Sequence, residues 1–414
     1  MPNFNGQLIS NEIFAALWNM IISQEVFADN INGGEGLVSK ARVGGSLYGD
    51  TKLYYATDAL ASKAWGNDAE AINLLQIHRP KNPETQAIRL NVFRQIPLTV
   101  DDYLSKRAWA TEGAFASFNS VMLGWMSATK QIIDDTSYNV YIGTTKSSVG
   151  KQTQTVVLAN TLTAEERAKY IGEKVANIFS EMNDYTRKYN DYEFIRKYAI
   201  DSIKVLWNTK YYNEIRKIDL PAIFHKDGIV EKFGDEVLNE RYFGEAVADV
   251  TTSTYADSTP TTTKPVKSSG GSYTYEPVSG NTVILHCLEE CDIPVYDSTE
   301  SKYILKHYFA GDELDDKAAI KGTFTVYVRD YNGNLDSGTS TSVDNSAAFY
   351  KYDSTVICKI VVKLPPFMSA FQVGTNFFNG KSLTTNHYLT WGKNTLEYFK
   401  AYPFVTLSEV GSWL

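Results

Sequence analysis

Thr163 is followed three residues later by Glu166, and from Ile171 an apolar side chain returns at Val175, Ile178, Met182, Tyr185 and Tyr189. The first pair is a capping box, in which hydroxyl and carboxylate satisfy the free N–H groups that open a helix. The second keeps +4/+3 spacing on one helix face for almost three heptads. Together they predict a long helix with one apolar side. That side needs a cover, either a partner helix in a coiled coil or a sheet beneath it. A second long helix is predicted from Thr111 to about Ile133, striped by Phe115, Phe118, Met122, Trp125, Ile132 and Ile133. Asp134-Asp135 are unfavourable at a helix C-terminus, so this helix either runs on a little or ends against a partner.

Strand signals surround these helices. Leu53-Tyr54-Tyr55 is strand-like, and Ile88 to Val92 alternates with period two, as a ribbon with one wet face does. Short strands are expected at Tyr138–Ile142, Thr155–Leu158, Ile203–Trp207, Val283–Leu288, Gly322–Val328 and Val356–Leu364. Two polar tracts interrupt them. Residues 248–281 are dominated by Ser, Thr, Gly and Pro and cannot supply a core, so they read as an exposed insertion or linker; Asn332–Asn345 is a second such tract. At the other end, residues 9–28 carry Ile9, Ile13, Leu17, Met20 and Phe27 at helical spacing, followed by glycine-rich joints at 33–36 and 44–45. That is a helix plus an arm, lying on another subunit or folded back on its own core.

The chain has 414 residues, which implies two or three packed modules. With 43% hydrophobic and 21% charged residues it is ordinary globular material. Tyrosine stands out at 27 copies, and an aromatic with a polar tip suits surfaces that become interfaces. A net charge of −8 argues against generic nucleic-acid binding. Locally, though, Arg79, Lys81, Arg89, Arg94, Lys106 and Arg107 outnumber Glu84, Asp101 and Asp102. That excess fits either contact with a negative neighbour or plain solvated charge. Three cysteines, Cys287, Cys291 and Cys358, point to a reducing compartment without a disulfide framework. Neither a leader at Met1–Asn5 nor an apolar run of about 20 residues is expected.

No catalytic constellation emerges. None of the five histidines, His78, His225, His286, His307 and His387, sits in a nucleophile-elbow context, and Gly44-Gly45-Ser46 lacks its flanking glycines. His286, Cys287, Glu289, Glu290, Cys291 and Asp292 form the most ligand-rich stretch, but no second Cys or His pair follows at zinc spacing, and a strand ending in an acidic turn is the better account. Gly374 to Ser382 nearly matches a phosphate-cradling loop, yet five residues separate its glycines and Phe377-Phe378 would crowd the backbone. It reads as a turn after the terminal strand. The acid pairs at 101–102, 134–135 and 315–316 carry little information alone. No catalytic, cofactor-binding or metal-binding residue is therefore assigned, no cofactor is expected, and a structural role follows.

The order of parts carries a resemblance: an arm, a long wet β-hairpin region, a long helix near Thr111, a second helix, a mixed α/β module and a returning C-terminal strand. This resembles the Hong Kong 97-like capsid fold, an α+β fold, along essentially the whole chain. Thr111-Glu112-Gly113-Ala114-Phe115 through Asp134-Asp135, Leu206-Trp207-Asn208-Thr209-Lys210-Tyr211-Tyr212 and Ile223-Phe224-His225-Lys226-Asp227-Gly228 also look like capsid proteins of small podoviruses. The resemblance implies an N-terminal arm at 1–45 and an extended loop at 46–108. A peripheral domain with its spine helix would take 109–200 and 350–414, and an axial domain 201–349, with 248–281 inserted. It further implies self-assembly into hexamers and pentamers of an icosahedral shell, scaffolding and portal partners, packaged double-stranded DNA on the inner face, and no membrane. Synthesis would be in a host cytoplasm and the destination a virion capsid. A surface-binding protein, an adhesin or glycan binder using the β-rich module, is the alternative.

Overall fold

The computed structural model describes residues 36–44, 51–62, 79–101, 112–158, 162–216, 236–247, 263–267, 273–277, 285–315, 317–330, 333–345 and 347–410. It is a mixed α+β structure in which strands predominate. The expected helix at 9–28, Gly45, the passage 223–228 and most of the 248–281 tract lie outside the described residues.

Four α-helices are described: α1 (Leu37–Ala41), α2 (Glu112–Thr144), α3 (Ala164–Met182) and α4 (Thr209–Arg216). α3 opens as expected. Thr163 accepts from the Glu166 amide while the Glu166 carboxylate takes the Thr163 amide at 2.8 Å. Ile171, Val175, Ile178, Phe179 and Met182 are buried in one cluster with Val205, Trp207, Ile357, Ile360, Val405 and Leu407 of the sheet beneath. The cover is thus a sheet, not a partner helix. The stripe ends at Met182: Tyr185 is 70% exposed, and Tyr189, although buried, lies past the helix. Thr163→Ala should cost about 1 kcal/mol, read as a shift in the urea midpoint at unchanged slope.

α2 is longer than expected and absorbs Tyr138–Ile142, which the sequence reading makes a strand. Asp134 does not face the helix end. Its carboxylate takes the buried Lys130 ammonium, one turn back, at 2.6 Å. Beyond it Tyr138 and Ile142 keep helical spacing and pack with Leu206, Phe243, Phe367 and Phe404, so burial overrides β propensity. Gly143 lets this helix touch a neighbouring turn, because a β carbon there would overlap the Tyr242 carbonyl.

The core sheet runs β4 (Thr153–Val157), β19 (Phe404–Val410), β16 (Val356–Val361), β5 (Lys204–Asn208), β6 (Glu236–Leu238). Every residue of the central β16 is buried, including Lys359. Its ammonium donates to the Thr145 carbonyl at 2.8 Å and to the Thr406 hydroxyl at 3.0 Å. Burial pushes the Lys359 pKa down from 10.5 to about 7. The unfolded chain keeps that proton some three units longer. Between about pH 7 and pH 10 it therefore binds more protons than the folded chain, and stability should rise with pH across that window. Chemical denaturation at successive pH values should show this slope, and Lys359→Met should flatten it.

A second five-stranded sheet runs β1 (Arg42–Gly44), β17 (Phe367–Asn379), β18 (Thr384–Asn394), β3 (Glu84–Asp101), β2 (Thr51–Ala56). β3 alternates along its length, as the sequence predicts, and pairs with β2 over Glu84–Arg89. Its farther part, Leu90–Asp101, pairs with β18. The loop region and the C-terminal hairpin are thus stitched into one sheet. Gly374 to Asn379, expected in a turn, belong to β17, and the turn itself is confined to Gly380–Leu383, with Leu383 at φ +55°. No alternation shows there because β17 is exposed on both faces from Gln372 to Phe378. Gly44 is likewise a paired strand residue, opposite Ser369, and not a free joint.

The remaining strands form the β-rich part. β10 (Leu285–Cys287), β15 (Phe349–Tyr352) and β7 (Gly244–Ala246) make one sheet, and β11 (Cys291–Asp297), β12 (Lys302–Tyr308), β13 (Lys321–Tyr327) and β14 (Thr339–Asp344) another. β14 lies inside the second polar tract, where Thr and Ser build an edge strand with only Val343 buried. Within the first tract, β8 (Thr263–Lys267) and β9 (Tyr273–Pro277) pair as a hairpin.

Candidate assembly surface

Of the residues singled out for chemistry in the sequence, those from Cys287 to Asp292 meet one another and His307, without a metal-binding group among the described residues. His286 is buried, its Nδ1 3.1 Å from the Gly311 carbonyl and its ring stacked on Tyr350; burial lowers its pKa. His307 lies between Asp292 (2.8 Å) and Glu290 (3.3 Å), whereas His387 belongs to β18. His78 and His225 lie outside the described residues, as do 102 and 316 of the acid pairs. Among the described residues no three His, Cys, Asp or Glu side chains are grouped to hold a metal ion. The stretch around Cys287 is, as expected, a strand running into an acidic turn. Gly374 sits in extended strand, with no backbone cradle for phosphate.

What the structure does bring together is a charged clamp. Arg94 of β3 reaches Glu289 at 3.4 Å and Glu290 at 3.3 Å, tying the long sheet to the β-rich part. Lys393 of β18 is buried beside them, and that burial lowers its pKa. Two of the basic residues thus have intrachain partners, Arg94 here and Lys81 with Glu84 at 3.5 Å. Lys106 and Arg107 lie outside the described residues.

The other feature is an open edge. β1 covers β17 only at Phe367–Ser369, and from Ala370 onward no described strand pairs with β17 on that side. At about 3.3 Å per residue that stretch is roughly 30 Å of strand without a described neighbour on that side. The sequence Phe371 to Gly380 contains no charge. Val373, Phe377 and Phe378 are 43%, 63% and 54% exposed. Register places Val373 opposite Thr390 and Phe377 opposite Asn386. Both therefore lie on the face away from Leu389 and Trp391, which pack with Met126 and Ile133 of α2. Proteins that stay single blunt such edges with charge, proline or bulges. β17 has one bulge, between Ala370 and Val373, and beyond it none of these devices. A long, uncharged edge that exposes Val373, Phe377 and Phe378 is suited to pairing with another chain. Sequence reasoning took this stretch for a turn; the missed signal was a ten-residue run without charge ahead of a β-rich segment.

No protein-family model and no curated protein matches the sequence. Solved structures do. The chain is similar to one from the capsid structure of Staphylococcus phage Andhra, at TM-score 0.53 and 10% identity, covering 92% of this chain and 86% of that one. It is also similar to a chain in the structure of head fiber and inner core protein gp22 of native bacteriophage P68, at TM-score 0.52 and 8% identity, covering 92% and 88%. At these identities the likeness is one of fold, and it spans nearly the whole chain.

Proposed function

We propose that this chain is the major capsid protein of a tailed bacteriophage, a structural subunit that assembles with copies of itself into the shell around the genome, and not an enzyme. The uncharged edge of β17, unpaired among the described strands, carries the reading, because such an edge is suited to pairing with a second chain. The shared fold with chains from phage capsid structures, along nearly the full length, supports it. The finer reading is a Hong Kong 97-like fold. In it 1–45 is the arm, 46–108 the extended loop, 109–200 and 350–414 the peripheral domain with α2 as spine, and 201–349 the axial domain with the 248–281 insertion. The pairing of β18 with β3 supports one adjustment: the hairpin β17–β18 acts with the extended loop as one protruding sheet. Neighbouring copies in hexamers and pentamers are the main partners. Scaffolding and portal proteins join during assembly, and DNA lies inside without sequence-specific contacts, in keeping with the net acidic charge. The place of action is the virion, after synthesis in the host cytoplasm. No helix among the described residues is long and apolar enough to cross a membrane.

Negative-stain microscopy of the purified chain, alone and co-expressed with a candidate scaffolding protein, tests this. Shells, tubes or ring-shaped capsomers are expected, and a uniform monomer or trimer in both preparations would overturn the reading.

A further inference from the structure

The acidic turn gripped by Arg94 is flanked by two cysteines. Cys287 closes β10 and Cys291 opens β11, with only Leu288-Glu289-Glu290 between them. Cys287 is fully buried among Ile293, Tyr308 and Phe349, and Cys291 packs against the same cluster while keeping partial exposure. The two thiols are in contact, the Cys287 S–H donating to the Cys291 sulfur. That hydrogen bond lowers the Cys291 pKa against the opposing effects of burial and the Asp292 and Glu290 charges, with the Arg94 guanidinium assisting, while donating it raises that of Cys287. So the pair has the asymmetry of a dithiol in which the outer sulfur reacts first. Cys358 stands apart from the pair: it is buried in the core cluster under α3, and burial raises its pKa.

We propose that Cys287 and Cys291 form a modification site that closes to an intrachain disulfide on meeting a low-molecular-weight disulfide such as oxidised glutathione. The Cys291 thiolate attacks one sulfur of the reagent, breaking its S–S bond and releasing one glutathione thiolate. The Cys287 thiol then gives up its proton and attacks the Cys291 sulfur, forming the Cys287–Cys291 bond and expelling the second thiolate. Two protein thiols are oxidised, one small disulfide is reduced to two thiols, and the two protons pass to them. Closure pins the ends of the turn that presents Glu289 and Glu290 to Arg94, so oxidation outside a reducing cell would fix the joint between the β-rich part and β3. The site does not depend on the assembly reading and can be tested on the unassembled chain.

The experiment is thiol counting under denaturing conditions, with peptide mapping, on the full-length chain before and after exposure to oxidised glutathione. The three thiols should fall to one, with Cys358 remaining free and a cross-linked peptide joining 287 to 291. In Cys358→Ser, two thiols should fall to none. Three free thiols after exposure, a stable glutathione adduct on Cys291, or a bridge involving Cys358 would each overturn the proposal. Hydrogen exchange at 288–290 should slow on oxidation, and unchanged exchange would refute the pinning of the turn.

Discussion

Val373→Lys combined with Phe377→Lys should leave a folded chain that builds no shells. Both side chains are exposed and lie on the face of β17 away from α2, so the subunit loses little: surface changes of this kind stay within about 0.5 kcal/mol each. On the assembly proposed above, the same positions meet another copy. Burying a Val and a Phe contributes about 1.5–3 kcal/mol each, and two buried lysines without partners oppose pairing further. A loss near 3 kcal/mol per contact lowers each contact's association constant roughly 100-fold, and a closed shell repeats that contact many times. Circular dichroism melting of the double variant should match the wild type while microscopy finds no particles. Normal shells from the variant would show that this edge is not used.

Asp134→Ala should destabilise the subunit itself, by about 3–5 kcal/mol, because it leaves the Lys130 ammonium buried without its carboxylate. The Trp391 ring 5.5 Å from that ammonium offers a cation–π contact, and Asp135 acts on it only as a more distant charge. The lost stability should appear in urea unfolding of the unassembled chain. Lys130→Met added to Asp134→Leu should recover most of it, since an apolar pair of similar volume avoids desolvating two charges. If Asp134→Ala unfolds like the wild type, the pair has no structural weight, and the account of why α2 runs past Asp134 fails with it.

These two cases mark what the sequence discloses. Where one residue type at one spacing has one physical solution, as in Thr163 with Glu166 or the period-two face of β3, local structure was legible. The tertiary setting was not. Asp134-Asp135 looks like a helix end until Lys130 is seen buried one turn earlier. Tyr138 to Ile142 looks like a strand until Phe367 and Phe404 are found packed against it. β11 and β12 went unread because Cys291–Asp297 and Lys302–Tyr308 mix charged, apolar and proline residues with no clean period. The same limit hid the assembly surface. A strand exposed on both faces has no hydrophobic alternation to detect, and its meaning rests on pairing with β18 and on the absence of a described neighbour beyond Ser369.

The most direct measurement is the molar mass of the purified wild-type chain by light scattering, with and without a candidate scaffolding protein, over a range of concentrations. Masses of many subunits, reached cooperatively as concentration rises, are expected for a shell-building protein. A mass of one or three subunits at every concentration, in both preparations, would contradict the capsid account.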